Sequence, residues 1–382
     1  MRIHSKNTED NNQVVIVGGG LAGLISAIQL SKAGIQTVLL EKHTYPRHKV
    51  CGEYISNEVL PYLNHLGFDP YEYGAKKITT LSFSTYNGKS FDTNLPLGGF
   101  GISRYCMDKE LADIAVASGV QLITDNVSNI SFSADKFQIT TSTQQEYTSD
   151  IVIGAHGKRS NIDSKLSRPF MDTVSPFLAV KSHYSGDFPD NQVSLHTFPG
   201  GYCGLSKVET GHVNVCYITD YESFQKYKNI ENFQDIVVSK NEHIKEKFSS
   251  FNMVFRKPLT ISQVSFAKKN PVEQHILMTG DSAGMIHPLA GNGMSMAVRS
   301  AQMVSRQILD YFNGKTKSRE QLESNYSLEW NKEFKSRLNA GHVIARIFRS
   351  NRITESLISI GNTFPAILPH VIRRTHGKPM RV

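Results

Sequence analysis

The run Val14-Val15-Ile16-Val17 ends in Gly18-Gly19-Gly20-Leu21-Ala22-Gly23, and this junction limits the fold more than any other feature of the chain. Four apolar, β-branched residues in a row predict a buried strand. Leu24, Ile25, Ile28 and Leu30 then recur near a 3.6-residue period, so residues 21–32 are expected to form a helix that Gly34 ends. Thr37-Val38-Leu39-Leu40 is the next strand. Strand, glycine turn, helix and strand within about 30 residues make a βαβ unit, and its crossover implies a parallel sheet. Gly18 and Gly20 let the backbone turn tightly and approach a diphosphate without a Cβ in the way. Gly23 lets the helix sit close on the strand. The helix N-terminus then offers free N–H groups and about half a positive charge to an anion. Glu41 closes the second strand, where its carboxylate can accept hydrogen bonds from an adenosine ribose. NAD and FAD both satisfy this unit.

A second glycine cluster lies far along the chain. The strand-like Ile276-Leu277-Met278-Thr279 delivers Gly280-Asp281-Ser282-Ala283-Gly284, then Pro288, then Gly291-Asn292-Gly293-Met294 at the start of a helix reaching Phe312. An aspartate at a strand end can accept from the ribityl hydroxyls of a flavin. The N–H groups opening the helix can face the flavin N1–C2=O edge, where the reduced ring carries negative charge. Together the clusters point to one extended cofactor held at both ends, its diphosphate at the first and its flavin ring at the second.

The chain has 382 residues, more than one simple core, so two intertwined domains are expected. The net charge of +8 permits weak attraction to anionic lipid or an acidic substrate, and no zinc-finger spacing or aromatic RNA-binding signature indicates nucleic acid. Cys51, Cys106, Cys203 and Cys216 are far apart, which argues against both a structural zinc and a disulfide framework. Met1 to Gln13 is polar, without the apolar core of a signal peptide, and no stretch reaches the ~18 apolar residues of a membrane span. A reduced, cytoplasmic protein is expected, with peripheral membrane contact as a further reading. That reading rests on the C-terminal segment: Val343, Ile344, Ile347 and Phe348, then Phe364, Ile367, Leu368, Val371 and Ile372, followed by Arg373, Arg374, Lys378 and Arg381. Pro365 and Pro369 interrupt it, which favours a helical cap.

Between the clusters the pattern predicts a basic loop at 44–52, a helix over Glu53 to Asn64 and a hairpin from Ile78 to Asn94 turning at Asn87-Gly88. It continues with a helix from Tyr105 to Ala117 and strands at 120–124, 137–141 and 151–153. Strands at 195–198 and 213–218, with a helix near 233–238, indicate a separate antiparallel region. The expected fold is α/β with an α+β second domain. Residues 1–77, 100–173 and 267–312 form a Rossmann-like cofactor domain, 78–99 and 174–266 an antiparallel-sheet substrate domain, and 313–382 a C-terminal helical cap.

The Gly-x-Gly-x-x-Gly start with Glu41, combined with Gly280-Asp281, Pro288 and Gly291-Asn292-Gly293, resembles the group A flavoprotein monooxygenases and their sister branch, the geranylgeranyl reductase-like flavoenzymes, over residues 12–312. The resemblance implies FAD. It assigns Gly18, Gly20, Leu21, Ala22, Gly23, Glu41 and Lys42 to the ADP half, and Asp281, Gly291, Asn292, Gly293 and Met294 to the ribityl and ring half. Arg104 matches a cofactor-contacting arginine and Val127 a position beside the adenine. Where group A enzymes carry Asp-Gly-x-x-Ser-x-Val-Arg, this chain has His156-Gly157-Lys158-Arg159-Ser160-Asn161-Ile162-Asp163. His156 therefore stands at the aspartate position as a donor to a phosphate or ribityl oxygen, or as a packed histidine. Because that motif also serves the transient nicotinamide donor, the change bears on NADPH or NADH more than on FAD.

The Arg47-His48-Lys49-Val50-Cys51-Gly52 loop is similar to a Cys-Gly loop near the flavin of the reductase branch, and Tyr202 matches that branch's aromatic motif, whose Trp is missing here. The Trp-x-Trp of flavin halogenases is absent. No acid–base dyad is visible in the sequence, and Cys51 shows no base partner, so a bound flavin is expected to carry the chemistry and catalytic side chains stay unassigned. The expected reaction is hydroxylation of a small apolar, aromatic or polyketide-like substrate. The alternatives are reduction of an isoprenoid alkene and a non-catalytic carrier of the same fold. The sequence leaves the oligomeric state open.

Overall fold

The computed structural model describes residues 11–173, 176–227, 229–262, 264–287, 289, 291–349, 354–356, 358–359 and 377–382. Elements are numbered in chain order. The first sheet contains β1 (Asn11–Val17), β2 (Thr37–Glu41), β6 (Gln121–Thr124), β7 (Val127–Ser133), β8 (Lys136–Thr141), β9 (Glu146–Gly154), β16 (Val272–Glu273) and β17 (Ile276–Met278). Its central order is β17-β9-β1-β2-β6, all parallel, with β8 and β7 folded antiparallel onto β9. α1 (Leu21–Lys32) crosses from β1 to β2 and packs against α3 (Arg104–Ala117) and α8 (Gly293–Phe312), while α9 (Arg319–Arg349) lies on α8. Val14, Val15, Ile16, Leu24, Ile25 and Ile28 are fully buried, as expected for central strands covered by helices.

The second sheet contains β3 (Tyr54–Ser56), β4 (Lys76–Ser84), β5 (Ser90–Gly101), β10 (Phe177–Ser185), β11 (Gln192–Phe198), β12 (Gly201–Lys207), β13 (Val213–Asp220), β14 (Asn252–Met253) and β15 (Leu259–Ser262). Its order is β14-β10-β13-β12-β11-β4-β5-β3, with β15 also on β10, and it is antiparallel except at β11–β4. The pairing sorts its residues onto two faces. Leu178, Val180, Tyr184, Phe198, Cys203, Val213, Val215 and Tyr217 share one face and form a core under α5 (Tyr221–Gln225), α6 (Ile230–Ile236) and α7 (Glu242–Ser250). Ile261, Ala179, Ile218, Tyr202, Leu195, Phe83 and Phe91 follow one another across the other face, which looks towards the first sheet.

One expectation changes. Glu53 to Asn64 is not one helix: Tyr54–Ser56 is an edge strand on β5, followed by a 3-10 turn at Asn57–Val59 and the short α2 (Leu60–His65). Pro61 enters at the first turn of α2, where a missing N–H costs nothing. β7, β10 and β12 are further strands; β10 buries nearly every residue and shows no alternation to read, whereas β7 alternates. Of the C-terminal apolar positions, Val343 is exposed on α9. The side chains of Ile344, Ile347 and Phe348, together with Phe364, Ile367, Leu368, Val371, Ile372, Arg373 and Arg374, lie outside the described residues. The chain end returns to the first domain: the Met380 N–H donates to the Glu58 carbonyl at 2.7 Å, and the Met380 side chain is buried. The remaining helix, α4 (Asn161–Lys165), is closed by a capping box between Ser160 and Asp163.

Phe233 on α6 is fully buried against Phe198, Tyr217, Phe224 and Tyr227. Phe233→Ala is expected to destabilise the protein by about 3–5 kcal/mol without touching the glycine turns, as read from chemical denaturation.

Candidate active site

β1, β9 and β17 end side by side, with Val17 paired to Gly154 and Gly154 to Met278. Three turns therefore meet at one edge: Gly18–Gly20, Ala155–Gly157 and Thr279–Asp281. β2 continues from one side of β1 and β9 lies on the other, so this edge is a topological switch point, where open parallel sheets bind ligands. A cavity of about 1220 Å³ opens there and runs down to the second sheet.

Gly18, Gly20, Leu21, Ala22, Glu41, Lys42, Arg104, Val127, His156, Asp281, Gly291, Asn292, Gly293 and Met294 all line this cavity. Gly23 does not. A Cβ there would collide with the Gly18 carbonyl, so its part is to let α1 close on β1. Gly18 has φ +106°, and a Cβ on it would strike the Ala155 carbonyl. A Cβ on Gly20 would meet nothing within 4 Å, which is the open approach that a diphosphate needs. α1 and α8 both begin at the cavity wall, and neither has a side-chain cap, so their first N–H groups are available to a ligand. Glu41 is buried and its two oxygens accept the Gly19 N–H (2.7 Å) and the His43 N–H (3.1 Å). A carboxylate has about four acceptor positions, so it retains capacity for ribose hydroxyls.

The altered middle motif turns out to be paired. His156 Nε2 lies 3.1 Å from Asp163 Oδ1, and Arg168, fully buried, donates from Nη1 to the same oxygen at 2.8 Å. Burial alone would raise the Asp163 carboxyl, but His156 and Arg168 outweigh it and hold it down to about 2. An ionised carboxylate can only accept, so the proton between the pair sits on His156 Nε2. His156 Nδ1 is buried without a partner among the described residues, as is Arg159 Nη1 on the same wall. Orphaned buried polar atoms cost about 1–3 kcal/mol each, so this wall is built to receive a polar ligand.

Sequence reasoning missed one cluster altogether. Glu53 is fully buried at φ +55°. Its Oε1 accepts from Lys181 Nζ and from the Arg104 N–H (2.8 Å), and its Oε2 lies 2.7 Å from His183 Nε2. Burial would raise this carboxyl, yet Lys181 and His183 hold it below the usual range. Glu53 and His183 are 130 residues apart, so no local spacing announces them. His48 stands next to His183 and is pushed down to about 4 by burial and by Lys181. His48, Glu53 and His183 offer ligand-type atoms within 4.8 Å of one another. With the Lys181 ammonium already on the carboxylate, the group is an ion-pair junction between loop 47–53 and β10. The same loop puts Lys49 Nζ 2.8 Å from Asp108, which also holds Arg104 in a two-point pair at 2.7 and 2.8 Å. Cys51 Sγ lies 3.4 Å from Met294 Sδ, so this thiol does have neighbours, at the mouth of α8.

The chain matches the FAD binding domain family over residues 11–330. It belongs to that family. The glycine turns, the uncapped helices and the orphaned polar wall fit FAD, and the protein is a FAD-dependent oxidoreductase. It is 24% identical over 375 residues to digeranylgeranylglycerophospholipid reductase 2 of Methanopyrus kandleri, covering 90% of each chain. It is 32% identical over 181 residues to the FAD-dependent monooxygenase atmM of Aspergillus flavus, 44% of this chain and 37% of that one. Among solved structures it is similar to the flavin-dependent brominase Bmp2, with a TM-score of 0.79 at 18% identity over 96% of this chain and 93% of that one. At that identity the likeness is one of fold.

Two outcomes follow. Glu53→Ala strands the Lys181 ammonium in the interior, and thermal unfolding is expected to show a loss of about 3–5 kcal/mol, with weaker FAD retention. For Asp163 the folded pKa lies below the unfolded value of about 3.9, so its stabilisation is present above that pH and is lost as pH falls towards about 2. Asp163→Asn should flatten the acid limb of the stability–pH curve by about 1 kcal/mol, measured by urea unfolding between pH 7 and pH 3.

Proposed function

We propose that this oxidoreductase inserts one oxygen atom of O2 into an electron-rich ring of an apolar, phenolic or polyketide-like substrate, with NADPH or NADH as the outside reductant. The balance is substrate, O2, NAD(P)H and a proton giving hydroxylated substrate, water and NAD(P)+. The observation that carries this reading is the single cavity: the glycine cradle opens directly onto a wall of Ala179, Tyr202, Ile218, Val264, Met285 and Leu289. That wall excludes water from the reacting position, which protects an oxygen transfer from side reactions. FAD, when bound, supplies the two-electron relay between the reductant and O2. Glu41 and the first N–H groups of α1 would hold its ADP half. Asp281 and the first N–H groups of α8 would hold its ribityl and ring half. Arg104, held by Asp108, lines the cavity and would contact the cofactor there. The Tyr202 hydroxyl, kept protonated by burial, can donate a hydrogen bond to a substrate oxygen but cannot serve as a base near neutral pH.

Reduction of an isoprenoid-type alkene is the second reading. It is favoured by the full-length similarity to a digeranylgeranylglycerophospholipid reductase and by Cys51-Gly52 at the mouth of α8. Four free thiols fit a reducing, cytoplasmic setting, and no helix among the described residues is long and apolar enough to cross a membrane.

Turnover of a lipid extract under isotopically heavy O2 separates the readings. The expected product gains one heavy oxygen atom. A product that gains two hydrogens and no label supports alkene reduction. Protein that stays colourless after incubation with FAD contradicts both and leaves a carrier.

A further inference from the structure

We propose that Lys269 is a positioning residue for the cofactor: its buried ammonium braces two turns that form one wall of the cavity, and FAD supplies the negative charge that the interior withholds from it, so that FAD binding draws a proton onto Lys269 in alkaline solution. Either reaction leaves this part unchanged, because it concerns FAD binding alone.

Lys269 lies between β15 and β16, and its side chain is buried. Nζ donates to the Lys158 carbonyl at 2.7 Å and to the Asp281 carbonyl at 2.8 Å. It also stands over the Phe170 ring, 4.2 Å from the centroid. Lys158 and Asp281 both line the cavity, so the ammonium sits directly behind that wall. Two further bonds join the same turns. The Gly157 N–H donates to Ser282 Oγ at 2.8 Å, and Arg168 Nη1 donates to the Ser282 carbonyl at 2.9 Å.

The two buried cations behind this wall are balanced differently. Arg168 has a carboxylate, Asp163 Oδ1 at 2.8 Å, with Glu273 Oε2 3.7 Å from its Nε. Asp163 is further occupied by His156. Among the described residues no carboxylate lies within ion-pair distance of Lys269 Nζ. Two carbonyls and a ring face solvate an ammonium without neutralising it. Burial accordingly pushes Lys269 down to about 8; from further off, Asp281 and Asp163 favour the charge, and Arg168 and Lys158 oppose it. A buried ammonium without a counter-ion is unfavourable, and an anion on the other side of the wall offsets that. The FAD diphosphate is such an anion. Near pH 7 the ammonium is already formed and binding moves no proton onto it. Above about pH 8 the free protein holds the amine neutral, whereas the FAD complex still holds it charged. Binding then consumes a proton, and affinity falls as pH rises.

The test is calorimetric titration of FAD into the cofactor-free, full-length chain from about pH 7 to about pH 9.5, at fixed ionic strength and in buffers of different ionisation enthalpy. One charge acting across a single layer of protein is expected to change FAD affinity about tenfold. The wild-type chain should therefore lose about five- to tenfold in affinity over this range and take up about half a proton near pH 8.5. Lys269→Arg keeps a cation that does not titrate here. It should hold its affinity near pH 7 within about threefold of wild type, and lose both the alkaline fall and the proton uptake. Lys269→Met should bind FAD about tenfold more weakly near pH 7, again without uptake. A side chain that only fills space would leave the pH profile the same in all three proteins. A level wild-type affinity across the range, an alkaline fall that persists in Lys269→Arg, or wild-type affinity in Lys269→Met overturns the proposal.

Discussion

The Glu53 carboxylate ties the roof of the cavity to its floor. It is buried on the loop that follows β2, and it receives Lys181 and His183 from β10 and the first N–H of α3. A buried carboxylate with no cations beside it would neutralise or draw in water. With these three donors it stays ionised and holds loop 47–53 against the second sheet. Asn214 and Ser206 extend the same strip of contacts, reaching the Cys51 and Gly52 carbonyls from β13 and β12. Val50, Cys51 and Tyr54, on or next to this loop, line the cavity.

The second sheet serves two ends because its faces differ. One face is finished by α6 and α7 around Phe233 and needs nothing further. The other carries a polar strip where the loop docks and an apolar strip where it does not. The apolar strip cannot be covered by helices without closing the cavity. On that strip Ala179, Ile218, Tyr202 and Phe83 are already buried, and they line the cavity.

Much of the first domain was legible because its signals are local. The strand, glycine turn, helix and acid of the first unit sit within 41 residues of the N-terminus, and the second cluster announces itself by its own glycines. The second sheet was less legible. β10 runs Phe177 to Ser185 with nearly every position buried, so periodicity could not show that Ala179, Lys181 and His183 face one way. The sequence pattern predicts a helix starting at Glu53, whereas its left-handed backbone turns the chain into β3. In the sequence His156 reads either as a donor to a cofactor oxygen or as a packed histidine. In three dimensions His156 and Asp163 are partners, and Arg168, five residues beyond Asp163, supplies the cation. The ion pairs of Glu53 with Lys181 and His183 span 128 and 130 residues and have no fixed spacing, and that is why the sequence could not disclose them.

A crystal structure with FAD soaked in tests the central claim most directly, that two distant glycine turns and one apolar floor enclose a single space. The diphosphate should lie on Gly18, Gly20 and the first turn of α1, and the isoalloxazine beside Gly291 to Met294 with one face towards Tyr202 and Ile218. FAD absent from either turn, or a ring turned away from the second sheet, would contradict it.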